Sequence, residues 1–195
     1  QAAGWTTHGD TTIYSNSSIY LNRSDNVLAP LKVTGGTTYL YENDTIEDFA
    51  AWSTGTTYLN AYNEGVSGKG NIVLDHASNI MGDLEVDAQN VTITENSHIT
   101  DNNEWNVPGD VVLNPGSTGS YYINLNDSDN ILGGIDINGA PSYVRIYENH
   151  DITESGAWVI GAAPVYLSAR TNDITLTTSG NVLSNIEIYN GYGTA

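Results

Sequence analysis

The chain has 195 residues, which is enough for one compact domain or a short array of repeats. Its 5 Lys and Arg residues stand against 23 Asp and Glu residues, giving a formal charge of −18. That balance excludes the basic clusters that nucleic acid or an anionic membrane surface requires. The absence of cysteine excludes disulfides, thiolate metal sites and a thiol nucleophile. No apolar run approaches the roughly 20 residues of a membrane span, so we expect none.

Four markers recur along the chain with a nearly constant period, which is typical of a repeat architecture. The tryptophans lie 47, 53 and 53 residues apart, and four asparagines lie 53, 51 and 51 apart. The tryptophans are Trp5, Trp52, Trp105 and Trp158, and the asparagines are Asn26, Asn79, Asn130 and Asn181. Each asparagine opens a similar phrase, and these read NVLAPLKV, NIMGDLEV, NILGGIDI and NVLSNIEI.

The segments of each repeat, taken in chain order, read as short β-strands. The first follows the tryptophan and reads TTIYS, TTYLN, DVVLN or PVYLS; the second reads SIYLN, NIVLD, YINLN or DITLT. The third reads LKV, LEV, IDI or IEI, and the fourth reads YLY, VTI or VRI. Apolar and polar residues alternate, and Gly, Asn, Asp and Ser clusters separate the segments. We predict roughly four strands per repeat and about fifteen in all.

Near-identical phrases at a fixed period favour stacked coils over a hairpin sandwich, so the predicted fold is an all-β, parallel β-solenoid. We expect one domain over residues 1–195, with repeats at approximately 5–51, 52–104, 105–157 and an incomplete 158–195. Like residues should then lie above like residues, so that the tryptophans form one structural column and the asparagines another. Two strands per coil of about 26 residues fit the repeat, and three-sided coils remain an alternative.

The order of these phrases resembles the β-strand repeats of filamentous-haemagglutinin-like giant adhesins and related bacterial surface proteins. The resemblance rests on N-[VI]-[LM]-x-x-[LI]-x-[VI], V-x-I-x-E-N-x-x-I and the recurring Trp, and it covers essentially the whole chain. It implies a right-handed β-helix that serves as the shaft or filament of a surface protein. The high tyrosine content and the incomplete last repeat depart from that pattern.

Recurring acids are the first candidates for chemistry. Glu42, Glu95 and Glu148 are spaced 53 residues apart and should share a column on a solvated or turn-stabilising face. Paired carboxylates of a glycoside hydrolase are the alternative, but catalysis needs one unique constellation rather than a repeated one. We therefore expect no catalytic residue, no metal site and no cofactor. Weak Ca²⁺ binding at three acidic clusters is the one exception considered, namely Asp25-Asn26, Asp83-Asp87 and Asp127-Asp129.

Aromatic residues and sequons complete the list of candidates. The tryptophans are expected to pack in the core or seal a corner, with sugar stacking as the alternative. Outward tyrosines, among them Tyr39, Tyr58 and Tyr192, suit lateral contact between filaments or carbohydrate adhesion. Possible glycosylation sites are the five sequon asparagines Asn16, Asn22, Asn43, Asn90 and Asn126.

Together these features favour a structural, non-enzymatic protein of the cell surface or extracellular space. The sequence starts and stops within a repeat, which predicts that the solenoid continues axially, either in a longer polypeptide or on copies of itself. Laterally neighbouring filaments and surface glycans are further expected partners, and nucleic acid is not. A carbohydrate-active enzyme or a tailspike-like glycan-binding protein on a parallel β-helix is the alternative function.

Overall fold

The computed structural model describes residues 3–63, 68–116 and 120–189, in which the regular secondary structure consists of strands alone. There are 21 strands in these residues, more than the fifteen expected from the sequence. In chain order they are β1 Thr11–Tyr14, β2 Ile19–Leu21, β3 Leu31–Thr34, β4 Thr38–Glu42, β5 Ile46–Glu47, β6 Thr57–Asn63, β7 Gly68–Lys69, β8 Ile72–Leu74, β9 Leu84–Asp87, β10 Val91–Glu95, β11 Ile99–Thr100, β12 Asn106–Val107, β13 Val111–Pro115, β14 Ile123–Leu125, β15 Ile131–Leu132, β16 Gly134–Ile137, β17 Val144–Tyr147, β18 Ile152–Glu154, β19 Val159–Ser168, β20 Ile174–Thr175 and β21 Val182–Ile188.

Alternation along the strands separates the interior from the surface. In β10 and β13 every second residue is buried, beginning with the first. Successive side chains of a strand point to opposite faces, so the Val, Ile and Leu positions line the interior and the polar positions face outward. The buried apolar residues form a single cluster that runs from Ile19 to Ala169. Burial of this continuous core is the main stabilising contribution to the fold.

All but one of the strand pairings are parallel, and consecutive partners lie about one coil apart in sequence. The separation between paired residues ranges from 19, for Ile19 and Thr38, to 27, for Thr57 and Leu84. The exception is the short antiparallel contact between β6 and β7. Parallel pairing at this distance winds the chain into a β-solenoid of about 8 turns, which confirms the predicted fold class. The coils are three-sided, so the preferred two-strand coil is wrong and the three-sided alternative is correct.

Three sheets form the sides of the solenoid. The first sheet has the order β15-β12-β9-β6-β4-β2, with β7 beside β6, and the second has the order β20-β18-β16-β13-β10-β8-β5. The third has the order β11-β14-β17-β19-β21, and β1 and β3 form a separate two-stranded pair. No helix long and apolar enough to cross a membrane occurs in the part of the chain that the structure describes.

Successive repeats place the same phrase on different sides of the solenoid. In each sheet the strand from the second segment of a repeat pairs with the strand from its fourth segment. The fourth-segment strand pairs in turn with the first-segment strand of the next repeat, and that strand pairs with the third-segment strand of the same repeat. This series is β2-β4-β6-β9 in the first sheet, β8-β10-β13-β16 in the second and β14-β17-β19-β21 in the third. One repeat therefore spans two full turns and one further side.

This rotation overturns the expectation that like residues lie above like residues. The backbone amides of Ile80 and Val182 donate to the carbonyls of Trp52 and Trp158, so each tryptophan has a residue of another phrase as its axial neighbour. The asparagines and the three glutamates move from side to side in the same way. The physical reason is that backbone pairing follows the length of a coil, and the repeat period is not a whole number of coils.

Glycine is required where neighbouring coils approach most closely at a corner. A Cβ atom on Gly82 would lie 2.7 Å from the carbonyl carbon of Gly55, and one on Gly133 would lie 2.1 Å from the carbonyl oxygen of Gly109. Both distances are far below van der Waals contact. At these turns the backbones of neighbouring coils lie so close together that only glycine fits.

The two ends of the described solenoid expose residues of the types that are buried in its middle. In β21, Ile186 and Ile188 are 41% and 56% exposed, whereas their partners Val165 and Leu167 in β19 are fully buried, and no described strand pairs with the outer edge of β21. At the other end, Trp5 is 48% exposed. The predicted end of the fourth repeat, residues 190–195 with Tyr192, lies outside the described residues.

Candidate functional site: the repeat clasp and the outward aromatic face

Each asparagine of the repeat holds the tryptophan strand of the neighbouring coil. The backbone amide of Trp52 donates to Oδ1 of Asn79 at 2.7 Å, and that of Trp105 donates to Asn130 at 2.6 Å. Trp158 and Trp5 make the same bond to Asn181 and Asn26, at 2.8 and 2.9 Å. Because Asn79 and Asn130 are fully buried, each bond satisfies a backbone donor that has no water available.

The indole rings provide the second half of this contact. Trp52, Trp105 and Trp158 are fully buried, so none of the three can stack on a sugar. Their Nε1 groups donate to the backbone carbonyls that begin the third segments, at 2.9 to 3.1 Å. The accepting carbonyls belong to Leu31, Leu84 and Ile135. Each indole thus fills the interior and bonds across the coils.

An acidic residue, which the sequence analysis missed, is the third member of this arrangement in three repeats. Nδ2 of Asn79 donates to Asp48 at 2.6 Å, and Nδ2 of Asn130 donates to Asp101 at 3.0 Å. In the last repeat Asn181 donates to Glu154 at 2.7 Å. We call each set an acid–asparagine–tryptophan clasp; the sets are Asp48, Asn79 and Trp52, then Asp101, Asn130 and Trp105, then Glu154, Asn181 and Trp158.

The clasp acids also hold the turn before the asparagine. The carboxylate of Asp48 accepts the backbone amides of Asp75 and His76, and that of Asp101 accepts the amide of Asp127. The sequence did contain a signal, since TIED, HITD and DITE place an acid 53 residues apart. Sequence reasoning recorded the apolar part of these phrases and overlooked the acid that follows.

The recurring glutamates are interior residues, which corrects the expectation of a solvated face. Glu42, Glu95 and Glu148 are each no more than 1% exposed. One carboxylate oxygen of Glu42 accepts the amide of Leu28 at 2.8 Å, and Glu148 accepts that of Leu132 at 2.7 Å. The structure therefore agrees with the other part of the expectation, that these glutamates stabilise turns.

Burial favours the uncharged form of these carboxyl groups. Loss of hydration raises the pKa of Glu42 and of Glu148 to about 8, although the backbone amides that they accept act in the opposite direction. The same burial raises the pKa of Glu95 well above its ordinary value. The Met81 amide faces Glu95 without reaching regular hydrogen-bond geometry, and neither carboxyl oxygen of Glu95 has a regular partner. Three buried carboxyl groups thus lie inside the solenoid, and burial favours the protonated form of each.

An aromatic ladder occupies the outward face of the first sheet. The rings of Tyr20 and Tyr39 stack at 5.0 Å between centroids, and those of Tyr39 and Tyr58 stack at 4.2 Å. The residues are cross-strand neighbours in β2, β4 and β6, which places their rings at the spacing of the strands. A second stack on the third sheet joins His98, Tyr122 and Tyr143, at 3.7 and 4.5 Å.

A groove of about 150 Å³ lies at the end of the first ladder. Tyr58 lines it together with the acids Glu85, Asp87 and Glu104. Asp87 is already engaged, because Lys69 Nζ lies 2.6 Å from it and Asn60 donates to it at 2.8 Å. The groove therefore combines an aromatic ring with carboxylate acceptors on the outer surface.

The clusters considered for Ca²⁺ are largely occupied by protein groups. Asp25 pairs with Arg23 at 2.7 Å, Asp129 pairs with Arg170, and Asp127 accepts the amide of Asp129. Across residues 3–63, 68–116 and 120–189 no three His, Asp or Glu side chains converge as a metal site would require. Weak binding of Ca²⁺ stays a prediction.

The five sequon asparagines differ in accessibility. Asn16, Asn22 and Asn126 are exposed, whereas Asn43 and Asn90 are partly buried. The side-chain amide of Asn90 donates to Asn71 at 2.9 Å, so its nitrogen is engaged. The first three are the sites at which a glycan fits without disturbing the packing, and their glycosylation stays a prediction.

Replacing the clasp asparagine should destabilise the solenoid. Asn130→Ala leaves the buried Trp105 amide and the Asp101 carboxylate without this partner, which should lower the free energy of unfolding by about 1–3 kcal/mol. Asn103→Ala, at an exposed position, should change it by less than about 0.5 kcal/mol. Urea unfolding followed by circular dichroism measures both, and equal stability of the two variants would contradict the role of the clasp.

The buried glutamates should make stability fall as the pH rises. Their pKa is near the ordinary 4.5 in the unfolded chain and about 8 in the folded chain, so the folded state holds extra protons between these values. The free energy of unfolding should therefore decrease from about pH 5 to pH 8, by at most about 1.4 kcal/mol per pH unit for each group.

The doubly substituted variant Glu42→Gln with Glu148→Gln cannot ionise at these positions and should show a flatter pH profile in urea unfolding. Glu104→Gln, at an exposed position away from the buried glutamates, serves as the control and should keep the slope of the parent chain. A parent-like slope in the double variant would show that these carboxyl groups do not govern the profile.

Comparison with known proteins places the chain in a repeat family. The family model described as repeats of unknown function (DUF5649) matches residues 80–138 and 140–186, which together make up more than half of the chain. A search of curated proteins and a search of solved structures found no match. The matched segments include two of the three complete clasps and most of the second and third sheets. The chain therefore belongs to the family of repeats described as DUF5649.

Proposed function

We propose that the chain is a structural, non-enzymatic part of an extracellular or cell-surface fibre, in which β-solenoids continue end to end for projection, cohesion or attachment. The β-solenoid and its tandem repeats make it a structural repeat protein in form. The fibre, the surface location and the resemblance to filamentous-haemagglutinin-like adhesins belong to the proposal.

The observation that carries the proposal is the way in which the coils of the solenoid stack on one another. Strands of successive coils pair in parallel, and the buried apolar residues form one continuous cluster from Ile19 to Ala169. An exposed strand edge with an apolar face is a template for a further strand. The same stacking allows further coils to extend the solenoid along its axis.

The use of the recurring polar residues supports a structural role over an enzymatic one. Asp48, Asp101 and Glu154 are bonded to turns and asparagines, and the glutamates at 42, 95 and 148 are buried. Each of these groups occurs three times in the same local setting. An enzyme needs one distinct constellation that contacts a substrate, and all of these residues except Glu95 are already bonded to protein groups.

The charge of the chain favours growth along the axis over sideways aggregation. With a formal charge of −18, neighbouring rods repel each other along their sides. Contact between coils along the axis buries apolar residues, and that gain opposes the repulsion. A fibre one molecule wide is the expected result.

The chain should elongate with concentration. Electron microscopy and sedimentation should show rods of constant width that lengthen in steps of about 40 Å, the height of roughly eight turns at ~4.8 Å each. Raising the salt concentration should strengthen the association because it screens the acidic charge. A single species at every concentration, or flat sheets formed by side-to-side contact, would contradict the proposed fibre.

A second candidate, glycan attachment, is favoured by the groove at Tyr58. In the aromatic ladder Tyr39 lies between two rings, and Tyr58 is the last ring and borders the groove. Acid and asparagine oxygens around an aromatic ring are the groups that bind sugar hydroxyls while the ring packs against the sugar. The site would serve the attachment role of the fibre.

Glycan binding is tested with Tyr58→Ala. On a glycan array the parent chain should bind a neutral or basic sugar, and Tyr58→Ala should weaken that binding about tenfold or more. Tyr14→Ala removes an exposed tyrosine outside the ladder and should leave it unchanged. Absence of binding by the parent chain, or equal binding by all three, would exclude this candidate.

A further inference from the structure

The closest stacked tyrosine pair in the described residues lies on the outward face of the first sheet. The rings of Tyr39 and Tyr58 are 4.2 Å apart between centroids, and their planes are within 4° of parallel. The two residues lie directly opposite each other in β4 and β6. Because these strands are parallel and in register, both side chains leave the sheet in the same direction. Corresponding ring carbons are therefore separated by about the distance between the centroids.

The hydroxyl groups of the pair are also near each other. The pKa of Tyr39 is raised, chiefly through hydrogen bonding with the Tyr58 hydroxyl and secondly through loss of hydration. The side-chain amide of Asn102 donates to the Tyr58 hydroxyl at 3.2 Å, which helps to fix the orientation of that ring. The ring carbons beside the two hydroxyl groups thus lie next to each other in the stack.

The pair is accessible from solution and has room to move. Tyr39 and Tyr58 are partly exposed, and Tyr20 at the end of the ladder is 56% exposed. Tyr58 also borders the groove of about 150 Å³, which leaves space for its ring to tilt. A small oxidant can therefore reach both phenols while the strands keep them together.

We infer that Tyr39 and Tyr58 form an oxidative cross-linking site, at which a peroxide oxidant joins the two rings by a carbon–carbon bond. Each phenol gives up one electron and its hydroxyl proton, which leaves a radical whose spin extends to the ring carbons beside the oxygen. The two radicals combine at these carbons. Each carbon then loses its hydrogen as a proton, a proton returns to each oxygen, and both rings become aromatic again. The pair thus loses two hydrogen atoms, which reduce one molecule of hydrogen peroxide to two molecules of water.

Two other tyrosine pairs are less well placed for this reaction. Tyr20 and Tyr39 are 5.0 Å apart and 9° from parallel, and coupling to Tyr58 consumes Tyr39. On the third sheet, Tyr122 and Tyr143 are 4.5 Å apart and 12° from parallel. Both pairs combine a longer distance with a larger angle, so the bond between Tyr39 and Tyr58 should be the main product.

The bond would join two neighbouring coils covalently. Tyr39 and Tyr58 are 19 residues apart, which is one coil of the solenoid. A link of this kind restricts the unfolded chain more than the folded one, so it should stabilise the fold as a disulfide does. The chain has no cysteine with which to form a disulfide. Since the bond lies within one chain, the inference goes beyond the proposed fibre and does not depend on it.

Oxidation of the whole chain with hydrogen peroxide and a haem peroxidase tests the site. The product should show the blue fluorescence of dityrosine, keep the size of a single chain and be lighter by two hydrogen atoms. Digestion of the unfolded product after glutamate cuts the chain at Glu42 and Glu47 and so separates Tyr39 from Tyr58. Mass spectrometry should then find the peptides of these two tyrosines linked, at least about threefold above any other tyrosine pair, at a yield independent of protein concentration.

Matched variants test which phenols react. Tyr58→Phe keeps a ring in the ladder but has no hydroxyl from which a radical can form, so its dityrosine fluorescence should fall about threefold or more. Tyr62→Phe removes another hydroxyl from β6, at a 41% exposed position outside the ladder, and should match the parent chain. Circular dichroism should show that both variants fold like the parent chain. The cross-linked parent chain should unfold at a higher urea concentration than the untreated chain.

Three results would overturn the inference. They are equal fluorescence of Tyr58→Phe and the parent chain, a main product at another tyrosine pair, and links that form only between chains as the concentration rises. None of these results bears on the fibre, which is tested by elongation of the untreated chain.

Discussion

Every coil of this solenoid must offer the next coil a parallel strand edge and an apolar interior at the same height. Backbone groups that are not paired between coils would be buried without a partner, at a cost of about 1–3 kcal/mol each. The requirement fixes how long a coil can be, and the observed spacing of 19 to 27 residues shows how much the corners can absorb. Sequence identity between neighbouring coils is not part of the requirement, which is why different phrases lie on one another.

Polar residues inside the solenoid are positioned to bond between coils. Asn79 and Asn130 are fully buried, and each joins a tryptophan amide on one side to an acid on the other. A buried amide group with all its partners present stabilises one arrangement and disfavours slipped ones, because a slip leaves it unsatisfied. The clasps therefore fix the register of coils whose apolar side chains alone would tolerate several registers.

The sequence was sufficient to predict the class of fold, and the reason is visible in single strands. The alternation in Val91–Glu95 and Val111–Pro115 gives the same inward and outward positions in the structure as in the prediction. The fixed period indicated tandem repeats, and the family match is to repeats as well. The number of strands and the length of a coil were harder to predict from the sequence, since short strands such as Ile46–Glu47 and Ile99–Thr100 have too few residues to show an alternating pattern.

The arrangement of the site was predicted less well than the fold. The sequence singled out Trp52, Asn79 and Glu95 but not what they contact, because contacts between coils depend on the coil length. An acidic residue at or just after the end of a strand resembles a solvated one in sequence, so the burial of Glu95 and the bonding of Asp48 were both missed. In VTITE, Glu95 occupies the same alternate positions as Val91 and Ile93. This alternation is the feature that could have indicated that Glu95 points inward.

The one-third rotation per repeat has a consequence for anything that meets the outside of a long array. Equivalent phrases return to the same side only after three repeats, or seven turns, about 34 Å along the axis at ~4.8 Å per turn. A molecule lying flat against one side would therefore encounter a given phrase at intervals, with unrelated phrases between. A molecule that contacts the same phrase in every repeat would have to wind around the rod in a spiral.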